Sequence, residues 1–232
     1  MSDAIHLQPN APLAPRVLLP GDPGRALRLA QALLEDPKMF NHARGLWGYT
    51  GQAPDGAPLS IQSTGMGGPS TAIVVSELIG LGARRLVRVG TCGGLRGDLR
   101  LGQLLVATEA IADDGTSRAL GGADRLAPSP TLLVALQAAA GASAAHGAVV
   151  STDLFYDAED REPGWRAAGA VAVEMEAATL FRLAARRRVE AGCLLTVSDL
   201  LVSGRQRIEA ERLHEAELHL GEVAVQAISS AA

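Results

Sequence analysis

The stretch RVLLPGDPGRA, residues 16–26, decides the fold. A short apolar run ends in proline, Gly21 follows, and Asp22 with Pro23 then supplies a pair typical of helix starts. The pattern predicts a buried strand, a tight turn at the glycine and a helix that carries Arg25 near its beginning. Strand, turn and helix in this order are the repeating unit of α/β folds.

The same alternation continues along the chain. Further β-like runs lie at residues 59–64, 85–90, 103–108, 147–152 and 192–198. Helical patterns begin after Pro23 and after Pro69 and cover residues 131–141, 174–188 and 209–228. The segment 113–130 is rich in Gly, Asp, Ser and Pro and predicts a long loop. We therefore expect an α/β fold in which residues 1–232 form a single domain.

Composition and charge narrow the classes of function. The chain has 232 residues, 47% of them hydrophobic, which is enough to bury a sizeable core. No apolar run approaches the roughly 20 residues that cross a bilayer, and the first residues do not show the order of a signal peptide. The formal net charge of -4 argues against a general nucleic-acid binder. We therefore expect a cytoplasmic protein that binds neither membranes nor nucleic acid.

Cysteine, histidine and lysine exclude further classes. Cys92 and Cys193 lie far apart, which predicts two buried apolar residues rather than a disulfide. The five histidines form no H-E-x-x-H pattern and have no partnering cysteines, so we expect no metal site. The only lysine, Lys38, does not follow a glycine-rich turn, which excludes a P-loop nucleotide site.

The turn at Gly21 is the first candidate anion site. Glycine lets backbone N–H groups approach a ligand closely, and the planar fork of Arg25 matches an oxyanion at two points. The alternative is that Asp22 only caps the helix and that Arg25 is solvated. The turn alone leaves both interpretations open.

A second turn, RVGTCGG at residues 88–94, favours the anion site. Arg88 stands near the end of an apolar strand, where a charge is costly unless it is paired, and Gly90 and the hydroxyl of Thr91 follow it. Two arginines, two glycine turns and a hydroxyl at the carboxyl ends of strands suit a tetrahedral phosphate. A dinucleotide site fits less well, because Ser70 replaces the third glycine of G-x-G-x-x-G in GMGGPS.

Acidic residues are the next candidates. Glu174 and Glu176 stand two apart at the expected start of a helix, and side chains at that spacing do not share a helix face. One of them can favour the positive helix end, or a single carboxylate can accept hydrogen bonds from the vicinal hydroxyls of a ribose. Ser198 and Asp199 end an apolar strand, where Asp199 is either a turn cap or a general acid kept protonated by its surroundings.

Seven motifs in fixed order resemble the nucleoside phosphorylase family, in its bacterial hexameric branch of purine nucleoside and uridine phosphorylases. They read PGDPGRA, NHARGLWGYTG, STGMGGPSTAIVVSEL, RVGTCGG, STDLFY, VEMEAATLF and TVSD. The similarity runs from about residue 17 to residue 212. It implies a single α/β domain in which a mixed, twisted central sheet is partly closed into a barrel and surrounded by helices.

The resemblance also implies roles for individual residues. The family's phosphate ligands match Gly21, Arg25, Arg88 and Thr91, together with Arg44, which would reach the phosphate from a neighbouring subunit. Residues of the nucleoside site match Met66, Phe155, Met175, Glu176 and Ser198, together with His6 from a neighbouring subunit. Within this site Glu176 would bind the 2′ and 3′ hydroxyls, and Phe155 would stack beside the base. Asp199 matches the acid that protonates N7 of a purine, and Arg212 matches the arginine that assists it.

The activity that the resemblance implies is reversible phosphorolysis of purine ribonucleosides and deoxyribonucleosides to the free base and a pentose 1-phosphate. As the glycosidic bond breaks, the sugar becomes oxocarbenium-like and the base leaves with negative charge, so phosphate and a proton donor act on opposite sides. Inorganic phosphate is then a co-substrate, and no cofactor is expected. Sites shared between neighbouring subunits imply a homo-oligomer, a hexamer built as a trimer of dimers.

Three alternatives stand beside this activity. STGMGGPSTAI and DDGTS are at least as similar to uridine phosphorylase, but the segment 156–176 is short and has no glutamine to read uracil, and Asp199 favours a purine. A hydrolytic nucleosidase would share the Ser-Asp pair without needing the arginines around a phosphate. A non-catalytic nucleoside-binding protein would keep the cavity and lose the chemistry. Phosphate-dependent cleavage of inosine distinguishes a phosphorylase from a hydrolase.

Overall fold

The structure, a computed structural model, describes residues 4–156, 161–202 and 204–231. Strands and helices alternate along these residues, as expected for an α/β protein. The strands are β1 (Arg16–Leu19), β2 (Glu35–Asn41), β3 (Gly48–Gln52), β4 (Pro58–Gln62), β5 (Arg85–Gly94), β6 (Leu104–Asp113), β7 (Arg125–Leu126), β8 (Ala145–Thr152), β9 (Ala170–Glu174), β10 (Glu190–Leu200) and β11 (Gln206–Arg207). The helices are α1 (Pro23–Leu33), α2 (Gly67–Leu81), α3 (Gly115–Ala119), α4 (Pro130–Ala140), α5 (Glu162–Ala167), α6 (Ala177–Arg187) and α7 (Ala210–Ser230).

One mixed sheet contains all these strands, and part of it closes on itself. Its order is β2-β3-β4-β1-β5-β9-β8-β6-β10-β11, with β7 beside β6. β10 also pairs in parallel with β5, from Glu190 opposite Arg85 to Leu200 opposite Gly94. This extra pairing closes β5, β9, β8, β6 and β10 into a five-stranded barrel. The predicted mixed sheet, partly closed into a barrel and surrounded by helices, is confirmed.

Helices cover the strands on two sides. α2 packs against α6 on one side, and α7 packs against α1 and α4 on the other. Because successive side chains of a strand point to opposite faces, β5 and β10 supply both cores. Leu86 and Leu195 belong to the core that contains α2 and α6, whereas Val87 and Leu194 belong to the core that contains α1, α4 and α7. Strands covered on both faces are continuous apolar runs, which explains why these two could be predicted.

The turn between β1 and α1 has the predicted form. Asp22 caps α1, since its side chain accepts a hydrogen bond of 2.6 Å from the backbone N of Arg25. A Cβ added at Gly21 would lie 3.1 Å from the carbonyl oxygen of Gly65, so the turn runs close against the segment before α2. The cap and the close approach together set Arg25 at the carboxyl end of β1.

The structure differs from the prediction in several segments, two of which lie close to the candidate site. The sequence predicts a helix over 174–188, but Glu174 ends β9 and α6 begins only after Glu176. The sequence predicts a long loop over 113–130, but this segment contains α3 and β7. Asp114 explains α3, because its side chain accepts a hydrogen bond of 2.7 Å from the backbone N of Ser117 and so caps the helix.

No helix within the three described segments is long and apolar enough to cross a membrane. In the same segments no group of three or more His, Cys, Asp and Glu side chains is placed to hold a metal ion. Cys92 and Cys193 are buried free thiols, as predicted. Burial raises the pKa of both thiols.

Candidate active site

A cavity of about 850 Å³ opens where β1, β5 and β10 end. These strands run parallel to one another, so their carboxyl ends meet at one edge of the sheet. The first residues of α1 and the segments that lead into α2 and α6 complete the wall. Buried charged side chains and the starts of helices therefore face one shared space of a size that accommodates a small organic ligand.

Arg25 is held at the wall of the cavity by a carboxylate from the last helix. Its Nη2 lies 2.6 Å from Glu217 Oε1, and Arg28 Nη2 lies 2.7 Å from Glu217 Oε2. Arg25 and Glu217 are both buried, where either charge would be costly without the other. The Nε of Arg25 is buried without a hydrogen-bond partner among the described residues, and other atoms of Arg25 line the cavity.

Arg88, on β5, is paired with two carboxylates. Its Nε lies 2.8 Å from Glu174 Oε2, and its Nη2 contacts the carboxylate of Glu176. Burial alone would lower the pKa of Arg88, but the charges of Glu176 and Glu174 raise it above its ordinary value. A Cβ added at Gly90 would lie 2.8 Å from the guanidinium carbon, so the glycine leaves the space that this side chain fills. The buried positive charge of Arg88 is thus paired with two carboxylates.

Glu174 and Glu176 have different surroundings. Glu174 accepts hydrogen bonds of 2.9 Å from the backbone N atoms of Glu176 and Ala177, and another from the hydroxyl of Ser151. These bonds join the end of β9 to the start of α6. Glu176 accepts a hydrogen bond of 2.6 Å from the backbone N of Gly67 at the start of α2, and burial raises its pKa. The carboxylate of Glu174 therefore holds the junction between β9 and α6 together. The carboxylate of Glu176 is the one that can still accept hydrogen bonds from a ligand.

Asp199 lies near the end of β10, buried at the wall of the cavity. The hydroxyl of Ser198 donates a hydrogen bond of 2.8 Å to its Oδ2. Arg205 Nε and Arg207 Nε lie 3.2 Å and 3.3 Å from its Oδ1, at ion-pair distance but without the alignment of a hydrogen bond. The register of β11 explains the second contact, because it sets Arg207 opposite Asp199.

Apolar side chains form the mouth of the cavity. Met66, Phe155 and Tyr156 line it and are exposed, and Met175 lines it half-buried. The guanidinium carbon of Arg205 lies 4.6 Å from the ring centroid of Phe155. Flat apolar faces and a guanidinium plane are surfaces against which an aromatic base stacks favourably.

Most of the predicted site residues line this cavity: Gly21, Arg25, Met66, Arg88, Thr91, Phe155, Met175, Glu176, Ser198 and Asp199. Their individual roles stay predictions. Arg212 is placed differently, since it is exposed in the first turn of α7 and is not among the lining residues. Its role as the arginine that assists Asp199 stays a prediction. In this structure Arg205 and Arg207, from β11 and the residue before it, lie beside Asp199.

His6 and Arg44, which the resemblance assigns to a neighbouring subunit's site, lie away from the cavity of their own chain. His6 Nδ1 lies 2.7 Å from Glu77 Oε1 on α2, and Glu77 also accepts a hydrogen bond of 2.7 Å from the backbone N of Leu7. Arg44 is exposed in a 3₁₀ turn, Ala43–Gly45, and has a φ of 57°. Both placements are compatible with a role in another subunit's site.

Sequence reasoning missed three charged residues of this region. Arg205 and Arg207 were signalled by GRQR at residues 204–207, where two basic side chains follow the strand that carries Asp199. Glu217 was signalled by its position on the buried face of α7, three residues before Leu220. An acidic residue on an apolar helix face needs a buried cation as its partner.

The fold and the cavity define a class of protein, and comparison with known sequences identifies this class. The chain belongs to the phosphorylase superfamily, whose family model matches residues 15–231. The resemblance in the seven motifs is thereby confirmed. Among its relatives are proteins named purine nucleoside phosphorylase DeoD-type. The one from Exiguobacterium sp. is 39% identical over 207 residues, which cover 86% of this chain and 87% of the relative. The one from Caldanaerobacter subterraneus subsp. tengcongensis is 40% identical over 218 residues, which cover 90% and 93%.

Proposed function

We propose that this protein is a purine nucleoside phosphorylase, which uses phosphate to cleave the glycosidic bond of purine ribonucleosides and deoxyribonucleosides. The observation that carries the proposal is one cavity lined by Arg25 and Arg88, by Glu176 and by Asp199. Buried cations, a carboxylate for the sugar and a proton donor for the base are the parts that this reaction needs. The names of the relatives support the same activity.

The phosphate end of the cavity is formed by the turn after β1 and by β5. Arg25 and Thr91 line this end and bring a guanidinium group and a hydroxyl to it. Arg88 faces carboxylates through its Nε and Nη2, which leaves its Nη1 to the anion. No cofactor takes part, and inorganic phosphate is the second substrate.

Bond breaking separates charge along the cavity. The bond between N9 and C1′ breaks with its electron pair going to the base, and an oxygen of phosphate forms the new bond to C1′. Asp199 transfers its proton to N7, which neutralises the leaving purine. Glu176 accepts hydrogen bonds from the sugar hydroxyls, and its negative charge acts with that of phosphate to stabilise the positive sugar.

A product assay tests the proposal. Inosine, guanosine, adenosine and uridine are each incubated with the protein, with and without phosphate. We expect free base from purine nucleosides only in the presence of phosphate, together with an equal amount of pentose 1-phosphate. Base release without phosphate would indicate a hydrolase, cleavage of uridine alone would indicate a uridine phosphorylase, and either result would overturn the proposal.

We also propose that the protein works as a homo-oligomer with sites shared between subunits, a hexamer built as a trimer of dimers. His6 and Arg44 support this proposal, since a chain that used them in its own cavity would need them near it. Subunits that carry Arg44→Ala and subunits that carry Asp199→Ala are each expected to have little activity. Mixed oligomers are expected to regain activity, because some of their sites receive an intact residue of both kinds.

The mixing experiment is measured as phosphorolysis of inosine by co-expressed, co-purified variants against each variant alone. Native mass spectrometry supplies the control, since it shows whether both variants occur in one particle and how many subunits the particle has. Mixed particles without recovered activity would contradict the shared site.

A further inference from the structure

The segment between β10 and α7 brings Arg205 and Arg207 close to Asp199. The two arginines differ in their exposure and in whether they line the cavity. The side chain of Arg207 is 74% exposed and that of Arg205 is 40% exposed, whereas Asp199 is 8% exposed. Of the two arginines, Arg205 alone lines the cavity. A ligand that reaches Asp199 from the cavity therefore meets Arg205 beside it.

Two contacts fix the guanidinium group of Arg205. Its Nε lies 3.2 Å from Asp199 Oδ1, and its central carbon lies 4.6 Å from the ring centroid of Phe155. An ion pair and a cation–π contact together restrain the rotation of a long side chain. The donors of Arg205 are thus held in the part of the cavity wall that lies near both Asp199 and Phe155.

We propose that Arg205 reads the substituent at C6 of the purine, and that the protein prefers 6-oxopurine nucleosides to 6-aminopurine nucleosides. This inference rests on the proposed function. In a purine, N7 and the C6 substituent are neighbours on one edge of the ring system. A base that takes a proton from Asp199 at N7 therefore places its C6 substituent next to the cation that accompanies this acid.

The chemistry of the two groups at C6 decides the preference. A guanidinium group carries hydrogen-bond donors and no acceptor. A C6 carbonyl oxygen accepts a hydrogen bond from it, whereas a C6 amino group would face it donor to donor and lose a partner on leaving water. Asp199 does not resolve this conflict, because it acts on N7 as a donor.

The preference grows as the glycosidic bond breaks. Part of the negative charge of a leaving 6-oxopurine develops on O6, and a hydrogen bond from a cation to that oxygen strengthens with the charge. An interaction that is stronger in the transition state than in the ground state raises kcat/KM. Arg205 is therefore a specificity-determining residue for the base, distinct in role from the acid beside it.

The experiment compares kcat/KM for inosine and for adenosine in the natural protein, in Arg205→Met and in Arg207→Met. Methionine keeps much of the length of arginine and removes every donor. We expect kcat/KM of the natural protein to be about tenfold or more higher for inosine than for adenosine. This is the effect expected from one charge-assisted hydrogen bond. Arg205→Met is expected to lower the value for inosine about tenfold with little change for adenosine. Arg207→Met is the matched control, since it removes the other cation beside Asp199 and should change both substrates by the same factor.

The outcomes separate this inference from the proposed function. Phosphate-dependent cleavage that favours adenosine, or a substrate ratio unchanged by Arg205→Met, would overturn the inference and leave the function standing. If neither nucleoside is cleaved, calorimetric binding of hypoxanthine and adenine decides the inference by itself. Tighter binding of hypoxanthine that is lost in Arg205→Met supports it, and equal binding of the two bases overturns it.

Discussion

At the scale of single residues, Glu174 and Glu176 show how neighbours in sequence take different tasks. The hydrogen bonds that Glu174 accepts from the backbone and from Ser151 close the junction between β9 and α6. Glu176 directly precedes the first residue of α6, lines the cavity and shares Arg88 with Glu174. Their spacing already excluded a pair on one helix face. Which of the two is the ligand depends on the strand end at Glu174, which the sequence does not reveal.

Asp199→Asn tests the proton donor. An amide has the shape of the acid but cannot transfer its proton, so we expect kcat/KM for inosine to fall by about 10²–10⁴-fold. In 7-methylinosine, N7 is already alkylated and positively charged, so this nucleoside needs no proton to leave. We therefore expect the variant to cleave 7-methylinosine at nearly the natural rate. A similar loss on both nucleosides would contradict a role at N7.

The buried arginines of the proposed anion site could be predicted from the sequence more readily than the arginines beside Asp199. Arg88 in an apolar strand and Arg25 after a glycine turn are recognisable because a buried charge demands a partner. Arg205 and Arg207 belong to a two-residue strand, and no periodic pattern marks so short an element. Their approach to Asp199 is set by the pairing of β11 with β10, a tertiary contact that local sequence does not encode.

At the scale of elements, α1 depends on its first turn. Asp22 caps the helix through the backbone N of Arg25, and we expect Asp22→Ala to lower the free energy of unfolding by about 1 kcal/mol. The same loss frees Arg25, whose guanidinium group we propose binds phosphate, so KM for phosphate should rise. Urea unfolding and phosphate titration measure the two effects.

Asp98→Ala is the matched control for the cap. Asp98 is an exposed carboxylate whose side chain pairs with the nearby Arg96. Its removal is expected to leave both the free energy of unfolding and KM for phosphate nearly unchanged. Equal effects of the two substitutions would show that the cap does not position Arg25.

Burial explains which elements could be predicted. β1, β4, β5, β8 and β10 are apolar runs covered by other layers, and their positions follow from the sequence. β2 was missed because its first five residues are exposed and include a proline, so it carries no apolar signal. β9 was merged with the following helix because alternation over five residues is weaker than the helical pattern after it.

At the scale of the whole molecule, Glu77 attaches the segment of residues 5–7 to helix α2. It accepts hydrogen bonds from the backbone N atoms of Ile5, His6 and Leu7, about seventy residues away in sequence. Burial raises the pKa of Glu77, but these hydrogen bonds lower it further, so the pKa lies below its ordinary value of 4.5. A lowered pKa means that the stabilisation is complete above pH 4.5 and is lost as the pH falls through the lower, folded-state pKa.

Glu77→Gln tests this attachment. We expect the amides of residues 5–7 to exchange with solvent about tenfold faster in the variant at neutral pH, because a neutral amide accepts these hydrogen bonds less well. In the natural protein the protection should begin to fall as the pH drops below 4.5 and should be lost as the pH passes through the lower, folded-state pKa, whereas the variant should show no such step. Hydrogen exchange followed by mass spectrometry, from neutral pH down to well below pH 4.5, measures both. Equal protection in the two proteins would contradict the attachment.

The pairing that closes the barrel also orders events during synthesis. It joins residues 85–94 to residues 190–200, so β5 leaves the ribosome long before its partner does. Until then a growing chain carries an open, apolar strand edge, the kind of surface that chaperones shield. Asp199 stands on the strand that arrives late, and Glu217 on the helix after it. Competence for catalysis therefore requires that residues up to Glu217 have been synthesised, and a chain released before them would lack it.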